Sequence, residues 1–152
     1  MVFDGKVFVA MGQDPERDAG AGCLSCIVAS NPAAPTAVWQ NKLVSGSMST
    51  VSIADGLVYF ADAAGRVYCL DEQTGKPYWT HDTEAHIWGS TLLADGKVYV
   101  GSESGELTIL APGKEKKELG KIDFGQQVMS TAVAANGVLY VATGQNLYAV
   151  KE

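Results

Sequence analysis

The 152-residue sequence has no apolar stretch near the roughly 18 uninterrupted residues a membrane-spanning helix needs, because Asp, Gly or Ser recurs every few positions. It is short of positive charge. Eleven Lys and Arg stand against 17 Asp and Glu, the net charge is -6, and no basic stripe could neutralise a phosphate backbone, which argues against nucleic acid as a partner. The one dense charge run, Lys114 to Glu118, mixes both signs after Pro112-Gly113 and reads as a solvated turn. Cysteine is scarce and odd in number: Cys23, Cys26 and Cys69 cannot all pair within one chain, so a disulfide-framed mini-protein is excluded. The i, i+3, i+4 apolar spacing of a helix is nowhere sustained. A secretory leader is also missing from the start, where Asp4-Gly5 already belongs to the pattern described next. The sequence is therefore expected to begin inside structure, either after removal of a signal or as a piece of a longer protein.

What is present is a repeat. Ile53-Ala-Asp-Gly-Leu-Val-Tyr-Phe60, Leu93-Ala-Asp-Gly-Lys-Val-Tyr-Val100 and Ala134-Ala-Asn-Gly-Val-Leu-Tyr-Val141 are copies of one unit, and Phe3-Asp-Gly-Lys-Val-Phe-Val9 is a fourth. Their glycines, 5, 56, 96 and 137, are spaced by 51, 40 and 41 residues. Asp-Gly and Asn-Gly tolerate the two positive φ angles of a type I′ hairpin, so each copy predicts two antiparallel strands around a tight turn. Third strands follow at 66–70, 106–110 and 146–150, with 22–27 as the counterpart in the first copy. Fourth strands carry Trp39 and Trp79.

Four antiparallel strands per repeat of ~40 residues is the pattern of an all-β fold, the β-propeller, in which blades bury one another's faces. The reading is one domain over 1–152, partial, with blades near 1–45, 46–85, 86–125 and 126–152. About three and a half to four blades are counted. The first copy is expected to lack its leading strand and the last its fourth strand.

Cys69-Leu-Asp-Glu-Gln-Thr-Gly-Lys-Pro-Tyr-Trp79 resembles the tryptophan-docking motif of the PQQ-like, quinoprotein-type propeller repeats. Asp71, Thr74, Gly75 and Trp79 are its matching positions. The first copy interrupts the motif at Asn31 to Pro35, and the third has Pro112-Gly113 and no Trp. The chain most resembles the C-terminal blades of bacterial exported proteins likened to the outer-membrane assembly factor BamB. That resemblance implies a non-catalytic scaffold for protein–protein interaction in the periplasm or another extracytoplasmic space, with a protein or peptide partner and no cofactor.

An alternative is a fragment of a PQQ-dependent quinoprotein dehydrogenase. Such enzymes need a catalytic Asp, Ca²⁺ ligands and adjacent cysteines over the cofactor, and no adjacent cysteines occur here. A second alternative is a half-propeller whose ring is completed by self-association, as a homodimer.

Other chemistry-bearing patterns fall short of their requirements. Cys23-Leu-Ser-Cys26 has the spacing of a zinc or redox pair, but Cys26 aligns with Cys69 in the repeat, which reads as buried thiols. Asp14 to Asp18 places three acids as a Ca²⁺ loop would and lacks the rest of one, so it reads as an exposed insertion. In His81-Asp-Thr-Glu-Ala-His86 the two imidazoles face opposite ways along an extended segment. Gly101 to Gly105 puts Glu103 where a nucleophile elbow needs Ser. The most specific candidates are Met48, Trp88 and Met129, which occupy matching places just before the first strands of three copies, with His86 nearby. Exposed, they would form an adaptable apolar contact surface; buried, they would be packing between blades.

Overall fold

A computed structural model describes residues 1–12, 22–31 and 33–151. The acidic stretch Asp14 to Asp18 lies outside the described residues. The first sheet contains β1 (Val2–Phe3), β2 (Lys6–Met11), β3 (Cys23–Val28) and β4 (Thr36–Asn41), paired in that order. The second contains β5 (Ser52–Ala54), β6 (Leu57–Ala61), β7 (Arg66–Asp71) and β8 (Pro77–Asp82). β9 (Leu92–Ala94), β10 (Lys97–Gly101), β11 (Glu106–Leu110) and β12 (Glu118–Asp123) form the third, and β13 (Val133–Ala135), β14 (Val138–Ala142) and β15 (Leu147–Val150) the fourth. All pairings are antiparallel between sequential strands, and the described residues contain no helix.

The tight turns follow from their dipeptides. Asp55 and Gly56 have φ of 51° and 72°, and Asp4-Gly5, Asp95-Gly96 and Asn136-Gly137 are positive at both residues in the same way. One expectation needs correction. The first copy does have a leading strand: β1 pairs with β2, and Met1 and Phe8 exchange backbone hydrogen bonds at its start. Two ladder residues leave too short a run for alternation to register in the sequence.

The sheets pack face to face in chain order. Phe8, Leu24, Cys26 and Trp39 of the first sheet meet Val58, Phe60, Tyr68 and Leu70 of the second. The other face of the second sheet, with Tyr59, Ala61, Val67, Cys69 and Trp79, meets Val98, Val100 and Leu110 of the third. Tyr99, Leu107 and Ile109 then meet Leu139 and Val141 of the fourth.

Two of these three seams are pinned by an indole. Trp39 Nε1 donates to the Glu72 carbonyl oxygen at 2.9 Å, and Trp79 Nε1 to that of Gly113 at 2.9 Å. A register shift in the ladder sets each ring: the bulge between Cys26 and Ile27 leaves Trp39 opposite Cys26, and the one between Cys69 and Leu70 leaves Trp79 opposite Cys69. In the third sheet the same shift leaves Gly120 opposite Ile109, so no indole reaches the fourth sheet. There the ring contact Phe124–Tyr148, with centroids 4.7 Å apart, contributes instead.

The docking motif therefore serves two seams at once. Its turn is built by Asp71, whose Oδ1 accepts from the Thr74 backbone N–H at 2.9 Å and the Thr74 hydroxyl at 2.8 Å, and whose Oδ2 accepts from the Tyr78 hydroxyl at 2.8 Å. Those donors hold the Asp71 carboxyl below the ordinary carboxylate range, the Thr74 hydroxyl first. The finished turn receives Trp39 of the preceding sheet over Gly75, while Trp79 reaches forward to Gly113. Pro112-Gly113, irregular as a motif copy, still supplies the carbonyl, and the Gly113 N–H donates to the Tyr59 hydroxyl at 2.8 Å.

Gly75 has φ of 67°, and a β-carbon there would stand inside the Trp39 ring. Gly56, at φ of 72°, has open space around it. Gly75→Ala is expected to lose about 2–4 kcal/mol, from positive φ plus overpacking, and Gly56→Ala only ~1 kcal/mol. Urea unfolding of the two variants measures the difference; equal losses would mean that the indole does not depend on Gly75.

Candidate functional site

Up-and-down strands put the turns between second and third strands, and the connectors from one sheet to the next, at the same end of every blade. Backbone bonds fasten these segments together: Ala63 N–H donates to the Gly46 carbonyl at 2.9 Å, Glu103 N–H to that of His86 at 2.8 Å, and Val128 N–H to that of Ser102 at 3.0 Å. Gly65 has φ of 93°, and its carbonyl accepts from the Thr83 hydroxyl at 2.9 Å.

Hydroxyls then link the inner ends of the blades. Ser49 Oγ donates to the Gly89 carbonyl at 2.7 Å, the Thr50 N–H to Ser90 Oγ at 2.9 Å, and the Ser90 N–H to Thr131 Oγ1 at 2.7 Å. Ser52 Oγ donates to the Thr91 carbonyl at 2.7 Å. Met48 and Trp88 immediately precede linked residues and Met129 stands two before Thr131, so the three hold equivalent places in three blades. Met48 is 66% exposed and Met129 46% exposed, while Trp88 is half-buried. The two methionines are exposed at this end, and Trp88 is partly packed.

Glu103 and Gln127, which sequence reasoning did not select, adjoin Trp88 through a chain of two hydrogen bonds. Glu103 Oε2 accepts from Trp88 Nε1 at 3.4 Å, and its Oε1 from Gln127 Nε2 at 3.2 Å. The signal was available in the repeat: the position aligned with Glu103 is Ala63 in the second sheet and Gly144 in the fourth, so one blade alone of these three carries a carboxylate there. His86 is exposed, and its Nδ1 lies 2.6 Å from the Ala63 carbonyl oxygen.

The remaining candidates are dispersed. His81 lies in β8 and is buried against the third sheet, apart from His86 in the connector. Cys26 and Cys69 are buried in different seams, Cys23 is half-buried, and all three are free thiols. Burial pushes the Cys69 thiol up to about 11. Asp62 is fully buried and engaged, accepting from the Ser45 and Arg66 N–H groups at 3.0 Å each and from the Tyr68 hydroxyl at 2.8 Å. These residues do not make the adjacent-thiol pair of a quinone site, since Cys26 and Cys69 lie in different seams, and the Asp62 carboxylate is taken up by three donors. Among the described residues no three potential metal ligands cluster.

His81 is a pH-sensitive element of the seam between the second and third sheets. Burial lowers its affinity for a proton, and Lys116 and Lys121 act in the same direction, whereas Glu118 at 3.8 Å and Asp82 oppose them. Burial favours the neutral imidazole, whose Nε2, like the Thr108 hydroxyl, is buried without a hydrogen-bond partner. Unfolding frees His81 to take up a proton near pH 6.5, so its contribution is complete above that pH and is lost as pH falls below it. The urea midpoint is expected to drop between pH 7 and 5.5, and to drop less in His81→Leu. An unchanged pH dependence in that variant would assign the loss elsewhere.

The family model described as outer membrane protein assembly factor BamB matches residues 24–116. BamB of Nitrosomonas eutropha is 29% identical over 123 residues, which cover 79% of this chain and 30% of that protein. The solved structure of BamB from Moraxella catarrhalis superposes with a TM-score of 0.73 at 20% identity, over 86% of this chain and 40% of that one. Quinohemoprotein alcohol dehydrogenase ADHIIG from Pseudomonas putida HK5 superposes with a TM-score of 0.74 at 16% identity, over 94% of this chain and 27% of that one. At such identities the structural likenesses establish the propeller fold and nothing finer. The chain spans about a third of the length of the curated relative. With the family model covering more than half of its residues, the chain belongs to the family of the outer membrane protein assembly factor BamB.

Proposed function

We propose that the chain is a non-catalytic, extracytoplasmic scaffold that holds a protein or peptide partner against the row formed by Met48, Trp88 and Met129. The observation that carries this reading is the exposure of two methionines close in sequence to the hydroxyl bonds that fasten neighbouring blades. Thioether side chains adapt to different partner shapes, and an amphipathic indole supplies contact area at low entropic cost. The family's description as an assembly factor supports a protein as the partner and an extracytoplasmic location. The hydroxyls at this end are engaged structurally: Ser102 and Ser104 bond to each other at 2.8 Å, and His86 is tied to a backbone carbonyl. Neither pairing has the form of a nucleophile and its base.

Trp88→Ala is expected to weaken binding of apolar peptides by about tenfold or more while leaving the unfolding midpoint within experimental scatter. Fluorescence anisotropy with labelled Leu-rich peptides measures it. Unaltered affinity would remove this surface from the function.

A second reading rests on the outermost faces. Leu147 is 70% exposed and Met11 62% exposed, whereas Val67 and Leu107, which align with Leu147, are fully buried in seams. These are the faces on which further blades would pack, and a second copy offers both. Under this reading light scattering of the chain at micromolar concentration gives the mass of two chains; a stable monomer rejects self-association.

A further inference from the structure

The carboxylate beside Trp88 gives the proposed surface a charge preference. Glu103 is fixed on both sides, by its own N–H on the His86 carbonyl at 2.8 Å and by two side-chain donors, Trp88 Nε1 and Gln127 Nε2. Both donors are neutral. They aim the carboxylate without cancelling its charge, and Lys6, Lys97 and Lys121 pair with Glu72, Asp95 and Glu106. The segments nearest Glu103 at this end, over 83–91, 102–105, 124–132 and 143–146, contain Glu84 and Glu103 and no Lys or Arg, while the connector 42–51 that carries Met48 contains Lys42. The half-buried indole next to Glu103 offers a π-face, which attracts a cation, and the flanking methionines offer apolar contact.

We infer that the Trp88–Glu103 pair is a recognition site for a Lys or Arg side chain on an extended peptide whose neighbouring residues are apolar. This rests on the peptide-binding reading of the same surface and makes Glu103 its specificity-determining residue. The cation would meet the carboxylate on one side and the indole on the other, and the apolar neighbours would lie along Met48 and Met129. A carboxylate already oriented by neutral donors loses little side-chain entropy on binding, so selectivity costs no rearrangement of the rim.

The test uses labelled peptides Ser-Leu-Ser-X-Ser-Leu-Ser, with Arg, norleucine or Glu at X, titrated into the wild-type chain, Trp88→Ala and Glu103→Gln at low and high salt. The wild type is expected to prefer Arg over norleucine by roughly tenfold at low salt, with the preference shrinking at high salt. Glu103→Gln should bring the Arg preference below about twofold while leaving norleucine-peptide affinity intact, since the uncharged amide still contacts Trp88 and Gln127 but presents no charge. Equal affinity for Arg and norleucine peptides in the wild type, or an Arg preference that survives in Glu103→Gln, overturns the assignment while leaving the peptide-binding surface standing. Failure of every peptide to bind, or binding indifferent to Trp88→Ala, overturns both together. Circular dichroism of the two variants checks that the fold is retained, which Glu103→Gln in particular should not disturb, because its backbone bond to His86 is unaffected.

Discussion

The arrangement depends on one bond made twice, from an indole N–H of one blade to a turn carbonyl of the next. Sheets that bury apolar faces gain most of their stability from area, but area alone is indifferent to sliding. A directional bond between Trp39 and Glu72, and another between Trp79 and Gly113, fixes the offset between neighbours. The neighbouring groups follow from that offset. Asn41 Nδ2 reaches the Gly75 carbonyl at 2.9 Å, and the Tyr59 hydroxyl accepts from Gly113. At the far end of the blades the same offset aligns the Ser and Thr hydroxyls that fasten the rim, so the proposed contact surface inherits its spacing from tryptophans that do not touch it.

Much of this was legible from residue types whose effect is local. Asp-Gly and Asn-Gly fix their turns within two residues, which is why all four hairpins could be placed from the sequence. The leading strand β1 was not legible, because two residues carry no periodicity. The docking motif was read as one unit, yet its turn and its Trp belong to different seams. The partners of Trp39 and Trp79 lie 33 and 34 residues onward, and both accept through a backbone carbonyl, a group every residue type possesses. No side-chain pattern can announce such an acceptor.

The surface residues divide along similar lines. Repeat alignment located Met48, Trp88 and Met129, since equivalent positions in equivalent blades face the same way, but it could not decide their exposure, which depends on how the neighbouring connectors close. Glu103 stood out in the sequence as the one carboxylate at its place among three aligned turns. Its role comes from contacts to Trp88 and Gln127 on separate connectors, brought together by blade packing.

Gly120 stands where a third indole would have been, and that gap sets the mechanical character of the array. Three sheets joined by directional bonds behave as a stiff block. The fourth is held to it by apolar contact, by the Phe124–Tyr148 rings and by the Ser90–Thr131 link near the rim. This last junction thus lacks the indole bond that fixes the offset of the other two, and near the rim it is held by the Ser90–Thr131 and Thr143–Gln126 bonds. Met129 and Gln127 stand on the connector that crosses it, so the junction held without an indole is the one that passes directly beneath the proposed contact surface.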